Sequence, residues 1–381
     1  MAKRSAAPLN IVLVGTAYPL RGGIAHYLAL LARHLSKRHT VTTVTFSRQY
    51  PAFLFPGKTQ EEQGDGGASE TAAQLIDSMN PLTWISTARR IAAMKPDVIV
   101  FKYWLPFFGP CFGTIAGLVR RWTGARVVFI CDNVIPHERR IGDIAFTRFA
   151  FQFVDLFIVQ SHAVEKELRE FRHNANAMFV PHPIYEIFGG GTSKARARRK
   201  LGIPHRRIVL FFGYIRRYKG LDTLLEALPF LRKTLDVHLL VVGEFYHDEQ
   251  IYRKLIYDLG IGDNVTVVSE YVPNDRVGQY FSAADVVVLP YRSATQSGIV
   301  QIAYQFDKPV IATDVGGLSE VVRHDVTGYI VPPENPAALA SAVINFYKEK
   351  SEPRFVRAVQ KEKKKYSWDT MVKAIEKAGE K

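Results

Sequence analysis

Short apolar runs alternate with amphipathic stretches along the chain, and this alternation predicts parallel sheets covered by helices. In the first half, the amphipathic stretches include 24–36 and 163–171, whose apolar positions recur at helical spacing. Strands that alternate with helices in this way form a mostly parallel sheet with helices on both faces. The predicted strands of this half are 10–15, 41–46, 97–101, 126–130, 156–160 and 177–180.

The pattern then restarts, which predicts a second domain of the same kind. Its predicted strands are 208–212, 237–242, 265–268, 286–289, 310–313 and 329–331. Its predicted helices are 221–230, 249–259, 275–283, 298–306 and 336–347. The fold class is therefore α/β, with two doubly wound domains. Ligands of such domains bind at the carboxyl ends of the strands.

The boundary between the two patterns is rich in glycine and basic residues. Gly189, Gly190 and Gly191 precede a basic run at 193–200 and indicate a flexible link. An apolar stripe near the end of the chain would let a last helix cross back to the first domain. This stripe comprises Trp368, Met371, Val372 and Ile375. The predicted segments are a first domain at 1–188, a linker at 189–206, a second domain at 207–360 and a C-terminal helix at 361–381.

Composition is typical of a cytoplasmic globular protein. Apolar residues make up 47% of the 381 residues, which is enough for a large core. Cys111 and Cys131 form neither a CxxC pair nor a metal-ligand spacing, so we expect a reducing compartment. The apolar run at 11–14 is too short for a leader peptide, and no run predicts a membrane-spanning helix. The polar, glycine-rich segment 57–72 predicts a mobile surface loop.

The chain is basic, with 50 Lys and Arg against 36 Asp and Glu and a net charge of +14. Such a surface suits a nucleic acid, an anionic lipid or a phosphorylated substrate. We interpret the run at 193–200 as a solvated helix start and expect no nucleic-acid partner. The aromatic segment 102–113 indicates peripheral association with an anionic membrane, unless it is a helix buried in the core. Basic residues flank this segment, namely Arg89, Arg90, Lys95, Lys102, Arg120 and Arg121.

A glycine-containing turn at 15–23 follows the first predicted strand and opens the helix at Ile24. Gly22 and Gly23 would let the backbone approach a ligand, and a helix N-terminus favours phosphate. The turn lacks the GxGxxG spacing and the acidic residue of a dinucleotide site, so a dinucleotide is disfavoured. A tight strand-to-helix turn without a ligand is the alternative interpretation.

A second turn carries the strongest local signal. After the strand at 208–212 the chain reads GYIRRYKG, which places Arg216, Arg217 and Lys219 within four positions. Like charges so close repel each other, and a bound polyanion would relieve the repulsion. Arginine can hold a phosphate with two hydrogen bonds and lysine supplies a point charge. The turn predicts a polyphosphate site, with a solvated loop as the alternative.

This second turn, with LDTLLEA after it, resembles the segment G-R-L-x-x-x-K-G-x-D-x-L-L-x-A of glycosyltransferase family 4. In the family's order there follow LLVVGE (239–244), ADVVVLPYR (284–292) and KPVIATDVGGLSEVVRHDVTGYIVPP (308–333). The first turn and DNVIPHE (132–138) suit the N-terminal half of the same family. The resemblance covers nearly the whole chain. It implies a GT-B fold, two Rossmann-like domains facing a central cleft, and retaining transfer from a UDP- or GDP-sugar to a glycan or lipid-linked acceptor.

The resemblance also implies roles for residues. Arg216 and Lys219 would stabilise the negative charge of the departing diphosphate, which is the role that a metal ion has in other enzymes. The sequence contains no Asp-x-Asp pair, a motif that binds such an ion. We therefore expect neither a metal ion nor another cofactor. Asp132, Asn133 and His137 are alternative candidates for the residue that faces the sugar. The implied donor-binding residues are Gly22, Gly23, Gly213, Tyr271, Val272, Gln296, Ser297, Gly298, Ile299, Val300, Gln301 and Glu320.

One segment departs from the family pattern. The family carries two glutamates separated by seven positions before the PVIAT strand, and Thr295 and Ala303 stand there in this chain. The segment SATQSGIVQIAYQF contains no carboxylate and resembles a bacterial variant, SATxSGxxQIAYxF. Gln296 or Gln301 could supply part of the hydrogen bonding that the two glutamates provide in the family. Glu320 is implied to bind the donor, and a capping role near a helix start is the alternative interpretation.

Three functional hypotheses therefore stand. The first is retaining glycosyl transfer. The second is a non-catalytic relative that binds a nucleotide sugar as a scaffold or regulatory subunit, which the absent glutamates motivate. The third is a nucleotide-sugar epimerase of the same fold, for which the sequence offers no acidic catalytic residues. Arg216 and Lys219 in the second turn match the family's cations, and this match favours the first hypothesis.

Overall fold

The computed structural model describes residues 7–50, 72–135, 140–204, 207–246 and 248–380. It consists of two compact units, and the chain passes from the first to the second and back. Unit 1 comprises Met1–Pro183 and Ser367–Lys381, and unit 2 comprises Ile184–Tyr366. The division falls at Pro183, five residues before the end of the predicted first domain. The C-terminal residues belong to unit 1 from Ser367 onward.

Unit 1 is built on a parallel sheet with the strand order β3-β2-β1-β4-β5-β6-β7 in its described residues. The strands are β1 (Asn10–Val14), β2 (Thr40–Arg48), β3 (Ala73–Asp77), β4 (Val98–Tyr103), β5 (Arg126–Cys131), β6 (Leu156–Val159) and β7 (Ala177–Phe179). The helices are α1 (Gly23–Leu35), α2 (Pro81–Ala93), α3 (Gly109–Thr123), α4 (Asp143–Phe151), α5 (His162–Phe171) and α14 (Trp368–Gly379). The central strands are apolar along both faces because helices cover both sides of the sheet.

Unit 2 is built on a second parallel sheet, with the strand order β10-β9-β8-β11-β12-β13 in its described residues. The strands are β8 (Ile208–Phe212), β9 (His238–Val242), β10 (Val265–Val268), β11 (Val286–Leu289), β12 (Val310–Thr313) and β13 (Gly328–Val331). The helices are α6 (Lys194–Leu201), α7 (Leu221–Arg232), α8 (Glu249–Asp258), α9 (Asn274–Ala283), α10 (Gly298–Gln305), α11 (Leu318–Val321), α12 (Pro336–Lys348) and α13 (Glu352–Glu362). The fold class predicted from the sequence is confirmed.

The predicted linker at 189–206 contains helix α6. Ser193 caps this helix by accepting a hydrogen bond from the backbone N–H of Arg196, and Gly202 ends it in a left-handed conformation. Arg198 and Lys194 bind the buried carboxylate of Asp285 at 2.8 and 2.5 Å. These ion pairs fix the helix to unit 2, so the middle of the predicted linker is a helix, and its glycine-rich start and residues 202–204 lie outside an element.

The aromatic segment 102–113 lies in the core of unit 1. Phe108, Cys111 and Phe112 are buried, and Lys102 is 1% exposed. The structure therefore favours the alternative interpretation: the segment ends β4 and begins α3 in the core, and its residues Trp104, Leu105 and Phe107 are half-buried against that core. Among the helices of the described residues, none has the length and apolar composition that crossing a bilayer requires. The predicted loop 57–72 lies outside the described residues except for its last position.

Helix α14 completes the core of unit 1. Ser367 caps it, and the buried ring of Trp368 lies 5.1 Å from the ring of Tyr27 and 5.4 Å from that of His34. Further along the helix, Glu376 accepts a hydrogen bond from His39 at 2.9 Å. Unit 1 thus includes the end of the chain among its core elements.

Replacing Trp368 with alanine should destabilise unit 1. Removing a buried indole leaves a cavity, and such changes cost about 3–5 kcal/mol. Urea unfolding followed by circular dichroism measures the free energy, and the transition of unit 2 should not move. Lys373→Ala, at an exposed position of the same helix, is the control. An unchanged unit 1 transition in Trp368→Ala would show that α14 is dispensable to that core.

Candidate active site

The turns after parallel strands all reach the same edge of a sheet, and in unit 2 they are locked together by close backbone contacts. Gly213 follows β8 with φ 104°, and Gly220 caps α7 with φ 65°. A Cβ atom at Gly220 would overlap the carbonyl oxygen of Pro290, which follows β11. The turn after β8 therefore packs directly on the turn after β11.

Lys219 is buried in this packed turn. Its side chain is 9% exposed, and its Nζ lies 3.3 Å from where a Cβ of Gly213 would stand. Within the described part of the chain no carboxylate pairs with it. Burial, together with the nearby charge of Arg216, lowers the pKa of Lys219 to about 7. A bound anion would favour the charged form and reverse this shift.

Arg216 lies against an aromatic surface formed by the turns after β8, β9 and β10. Its guanidinium carbon is 4.5 Å from the centre of the Tyr246 ring. The ring of Tyr214 lies 4.6 Å from that of Tyr246 and 6.3 Å from that of Tyr271, a predicted donor-binding residue. A cation beside flat aromatic rings suits a ligand with both phosphate and planar groups. Val272, the next predicted residue, is buried.

The N-terminus of α10 lies beside the same turn. Ser297 caps the helix by accepting from the N–H of Ile299 at 3.3 Å, and its hydroxyl is 3.4 Å from that of Tyr291. The side chain of Ile299 is 3.1 Å from where a Cβ of Gly213 would stand. The partial positive charge of a helix N-terminus therefore adds to that of Lys219 at one place.

Neither α10 nor the segment 293–297 before it offers a carboxylate. Thr295 and Ala303, at the positions of the family's glutamates, are buried, and so is Val300. Gln301 is 2% exposed, and its Oε1 has no hydrogen-bond partner among the described residues. Gln301 therefore remains a candidate for binding a polar ligand. Glu320 is an exposed residue in the short helix α11.

In unit 1, the predicted glycines cap a helix. Gly22, with φ 111°, is the N-cap of α1, and Gly23 is its first residue. The glycine conformation lets the chain turn sharply from the end of β1 into the helix. The two predicted glycines are therefore placed at a helix N-terminus at the carboxyl edge of this sheet. Their contact with a ligand stays a prediction.

Asp132 is held in a buried ion pair. Its Oδ1 lies 2.5 Å from the Nζ of Lys102, which also donates to Gln160 at 3.0 Å and lies 3.7 Å from the ring centre of Tyr27. Burial lowers the pKa of Lys102, and the carboxylate of Asp132 opposes that shift. A carboxylate engaged in this way is placed to position the loop after β5. The sequence analysis missed Gln160 and interpreted Lys102 as one of the basic residues of a membrane-facing surface, although a single lysine in the apolar run VIVFKY was a signal of burial.

Two further residues complete this region. His182 packs edge-on against Tyr27, and burial with the nearby charge of Lys102 lowers its pKa to about 3, so it is neutral. Asn133 donates a hydrogen bond to the carbonyl of Trp104 at 3.3 Å. His137 lies outside the described residues. Within those residues, no three His, Cys, Asp or Glu side chains group as metal ligands would.

Comparisons with known proteins agree with this architecture. The model described as Glycosyltransferase Family 4 matches residues 21–185, and that described as Glycosyl transferases group 1 matches residues 206–349. D-inositol 3-phosphate glycosyltransferase of Acidothermus cellulolyticus is 31% identical over 416 aligned positions, covering 97% of this chain and 87% of the relative. D-inositol 3-phosphate glycosyltransferase 1 of Catenulispora acidiphila is 36% identical over 168 residues, which is 42% of this chain and 40% of the relative.

A solved structure shows the same fold over nearly the whole length. Anabaena HepE in complex with UDP superposes with a TM-score of 0.75 at 17% identity, covering 97% of this chain and 99% of HepE. The two parallel-sheet units and these matches define the class of protein, a glycosyltransferase of GT-B architecture. Within that class, the chain belongs to glycosyltransferase family 4, as the sequence motifs predict.

Replacing Gly220 with alanine should disrupt the packed turns of unit 2. The new Cβ would overlap the Pro290 carbonyl oxygen and would also require a left-handed alanine. Gly260→Ala is a matched control, because Gly260 has φ 60° but no atom within 4 Å of the added Cβ. We expect Gly260→Ala to lose about 1 kcal/mol of unfolding free energy and Gly220→Ala about 1–3 kcal/mol more. Equal losses in urea unfolding would contradict the close approach.

Proposed function

We propose that this protein transfers a sugar from a UDP- or GDP-sugar to a glycan or lipid-linked acceptor, with retention of configuration and without a metal ion. The observation that carries the proposal is Lys219, a buried cation beside Arg216 and the N-terminus of α10, which no carboxylate of the described residues neutralises. Solved complexes of HepE with UDP and UDP-glucose support a uridine nucleotide as the first donor to test.

In the proposed reaction the bond between the sugar's anomeric carbon and the diphosphate oxygen breaks first. Arg216, Lys219 and the N–H groups at the start of α10 stabilise the negative charge that develops on the leaving diphosphate. The acceptor hydroxyl attacks the anomeric carbon from the face the diphosphate leaves, and its proton passes to a phosphate oxygen. This scheme needs no carboxylate from α10 or the residues before it. It is therefore consistent with the buried Thr295 and Ala303, which stand where the family carries its two glutamates.

The acceptor is assigned to unit 1 in this proposal. The ion pair between Lys102 and Asp132 gives Asp132 a positioning role, because it fixes the start of the loop after β5. His137 and Asn133, on that loop, stay candidates for contact with the sugar. Gly22 and Gly23 would approach the donor phosphate at the N-terminus of α1. We place the enzyme in the cytoplasm, peripheral to the inner face of the cell membrane.

Transfer of radiolabelled sugar from a panel of UDP- and GDP-sugars tests the proposal, with extracted lipids and glycans as acceptors. Thermal shift with the free nucleoside diphosphates identifies the base independently of turnover. Tight diphosphate binding with neither transfer nor hydrolysis across the panel would favour the scaffold hypothesis instead. Interconversion of two nucleotide sugars without transfer would favour the epimerase.

Removing the proposed diphosphate ligands should lower turnover. Loss of one group that stabilises a developing anion costs about 10²–10³ in kcat, so Arg216→Ala and Lys219→Ala should each fall in that range. Arg217→Ala is the matched control, because Arg217 lies between them in the turn but is exposed. Full activity in Arg216→Ala and Lys219→Ala would disprove the assigned roles.

The affinity for UDP should depend on pH through Lys219. The diphosphate prefers the protonated amine, whose pKa in the free protein is about 7, and binding raises that pKa. Affinity should therefore be full below pH 7 and weaken by up to about tenfold per unit as the pH rises above it. Calorimetric titration of wild type and Lys219→Arg checks this, since arginine stays charged. The same slope in both proteins would assign it to another group.

A further inference from the structure

Helix α4 and the residue before its cap present an exposed apolar surface. Ile141 is fully exposed, Ile144 is 53% exposed, and the rings of Phe146 and Phe149 are each more than one third exposed. We call these four residues the α4 surface. The opposite face of the helix, with Thr147 and Ala150, is buried. Exposed large apolar side chains grouped in this way are uncommon on soluble proteins and indicate an interaction.

The α4 surface is held rigidly by glycines of α3. A Cβ at Gly109 would overlap the backbone of Phe146, and one at Gly113 would lie 2.8 Å from the ring of Phe149. The backbone of Phe146 and the ring of Phe149 therefore rest on the backbone of α3, and both side chains remain more than one third exposed. The pairs follow the same order along both helices, so α3 and α4 run parallel. The surface is a fixed feature of unit 1.

The surface is basic as well as apolar. Along 140–152 the exposed charged side chains are Arg140 and Arg148. The only acidic residue in that stretch, Asp143, is buried and accepts a hydrogen bond from the N–H of Arg140 at 2.7 Å. Two cations among exposed isoleucines and phenylalanines, with no exposed acid along 140–152, complement an anionic lipid surface more closely than a neutral protein surface.

The surface lies at the functional end of unit 1. Helix α3 begins at the carboxyl end of β4, and α4 runs parallel to it, so Ile141 and Ile144 lie toward the edge that carries Asp132. Helix α2 packs against α3, and Leu82 in its first turn is 75% exposed at the same edge. A bilayer against this rim would bring lipid headgroups next to the loop after β5.

We propose that the α4 surface docks unit 1 onto an anionic lipid bilayer, with Ile141 and Ile144 entering the interface and Arg140 and Arg148 contacting headgroup phosphates. The proposal rests on the proposed function for its purpose, which is to reach a lipid-linked acceptor. The docking itself requires neither donor nor turnover, so it can be tested separately.

Co-sedimentation of the full chain with vesicles measures the docking. We use vesicles of phosphatidylcholine alone and of phosphatidylcholine with phosphatidylglycerol, at low and high salt. Wild type should bind the phosphatidylglycerol vesicles, with binding that weakens as salt rises. The double variant Ile141→Ser/Ile144→Ser should lose about tenfold or more in partition, and Arg148→Gln should reduce binding and its salt dependence.

Two matched controls lie on unit 2. Ile251→Ser removes an isoleucine as exposed as Ile144, and Lys254→Gln removes an exposed cation. Both should bind vesicles like wild type. Equal binding by wild type and Ile141→Ser/Ile144→Ser, or no binding to phosphatidylglycerol vesicles, would overturn the proposal. So would a wild-type dimer that the double variant dissociates, because the surface would then join two copies of the chain.

UDP affinity, measured on the same variants, separates this proposal from the proposed function. Ile141→Ser/Ile144→Ser should bind UDP like wild type, since neither residue belongs to unit 2. Vesicle binding without any nucleotide binding would refute the proposed function and would still support the docking proposal. Nucleotide binding and transfer without vesicle binding would refute the docking surface alone.

Discussion

Close backbone contact between the turns of unit 2 is the constraint on which the candidate donor site depends. Gly220 lies against the carbonyl of Pro290, Gly243 against that of Gly213, and Gly316 against that of Ala294. These contacts join the turns after β8, β9, β11 and β12, and any side chain at the three glycines would separate them. Lys219 is buried because its turn cannot move away from its neighbours, and its lowered pKa follows from that burial.

Unit 1 buries Lys102, and unit 2 buries Lys308, which donates to backbone carbonyls, and Lys219. The partners of each buried lysine decide what it can do. Lys102 is neutralised by Asp132 and bonded to Gln160, so its charge is already satisfied inside unit 1. Lys219 has Arg216 for a neighbour and no carboxylate partner among the described residues. A buried charge without a counter-ion is costly, and a ligand anion recovers that cost on binding. Burial alone would not have distinguished Lys102, which has a carboxylate partner, from Lys219.

Sequence patterning predicted unit 2 well and unit 1 in part. The strands β8, β10, β11 and β12 match their predicted bounds, because they are short, mostly apolar runs that end at turn-forming residues. Strand β3 and helices α2 and α4 were not among the predicted elements, and α3 entered only as the alternative interpretation of segment 102–113. The glycines of α3 disfavour a helix locally and are explained only by its packing on α4. Lys102 was interpreted as a surface cation, since its partner Asp132 is thirty positions away. The candidate turns were found from charge and glycine, but the aromatic surface around Arg216 required the fold.

The absence of glutamates from α10 changes how this chain can hold a donor. Ala303 is buried against the end of its helix, where its carbonyl accepts a hydrogen bond from the N–H of Lys308 at 2.8 Å, so a carboxylate there would need new space. The carbonyl of Thr295 is engaged with the N–H of Gly317 at 3.1 Å. Polar contact from this helix therefore comes from its capped N-terminus and from Gln301, both neutral groups. In the proposed reaction, the negative charge of the donor would then be balanced chiefly by Arg216 and Lys219.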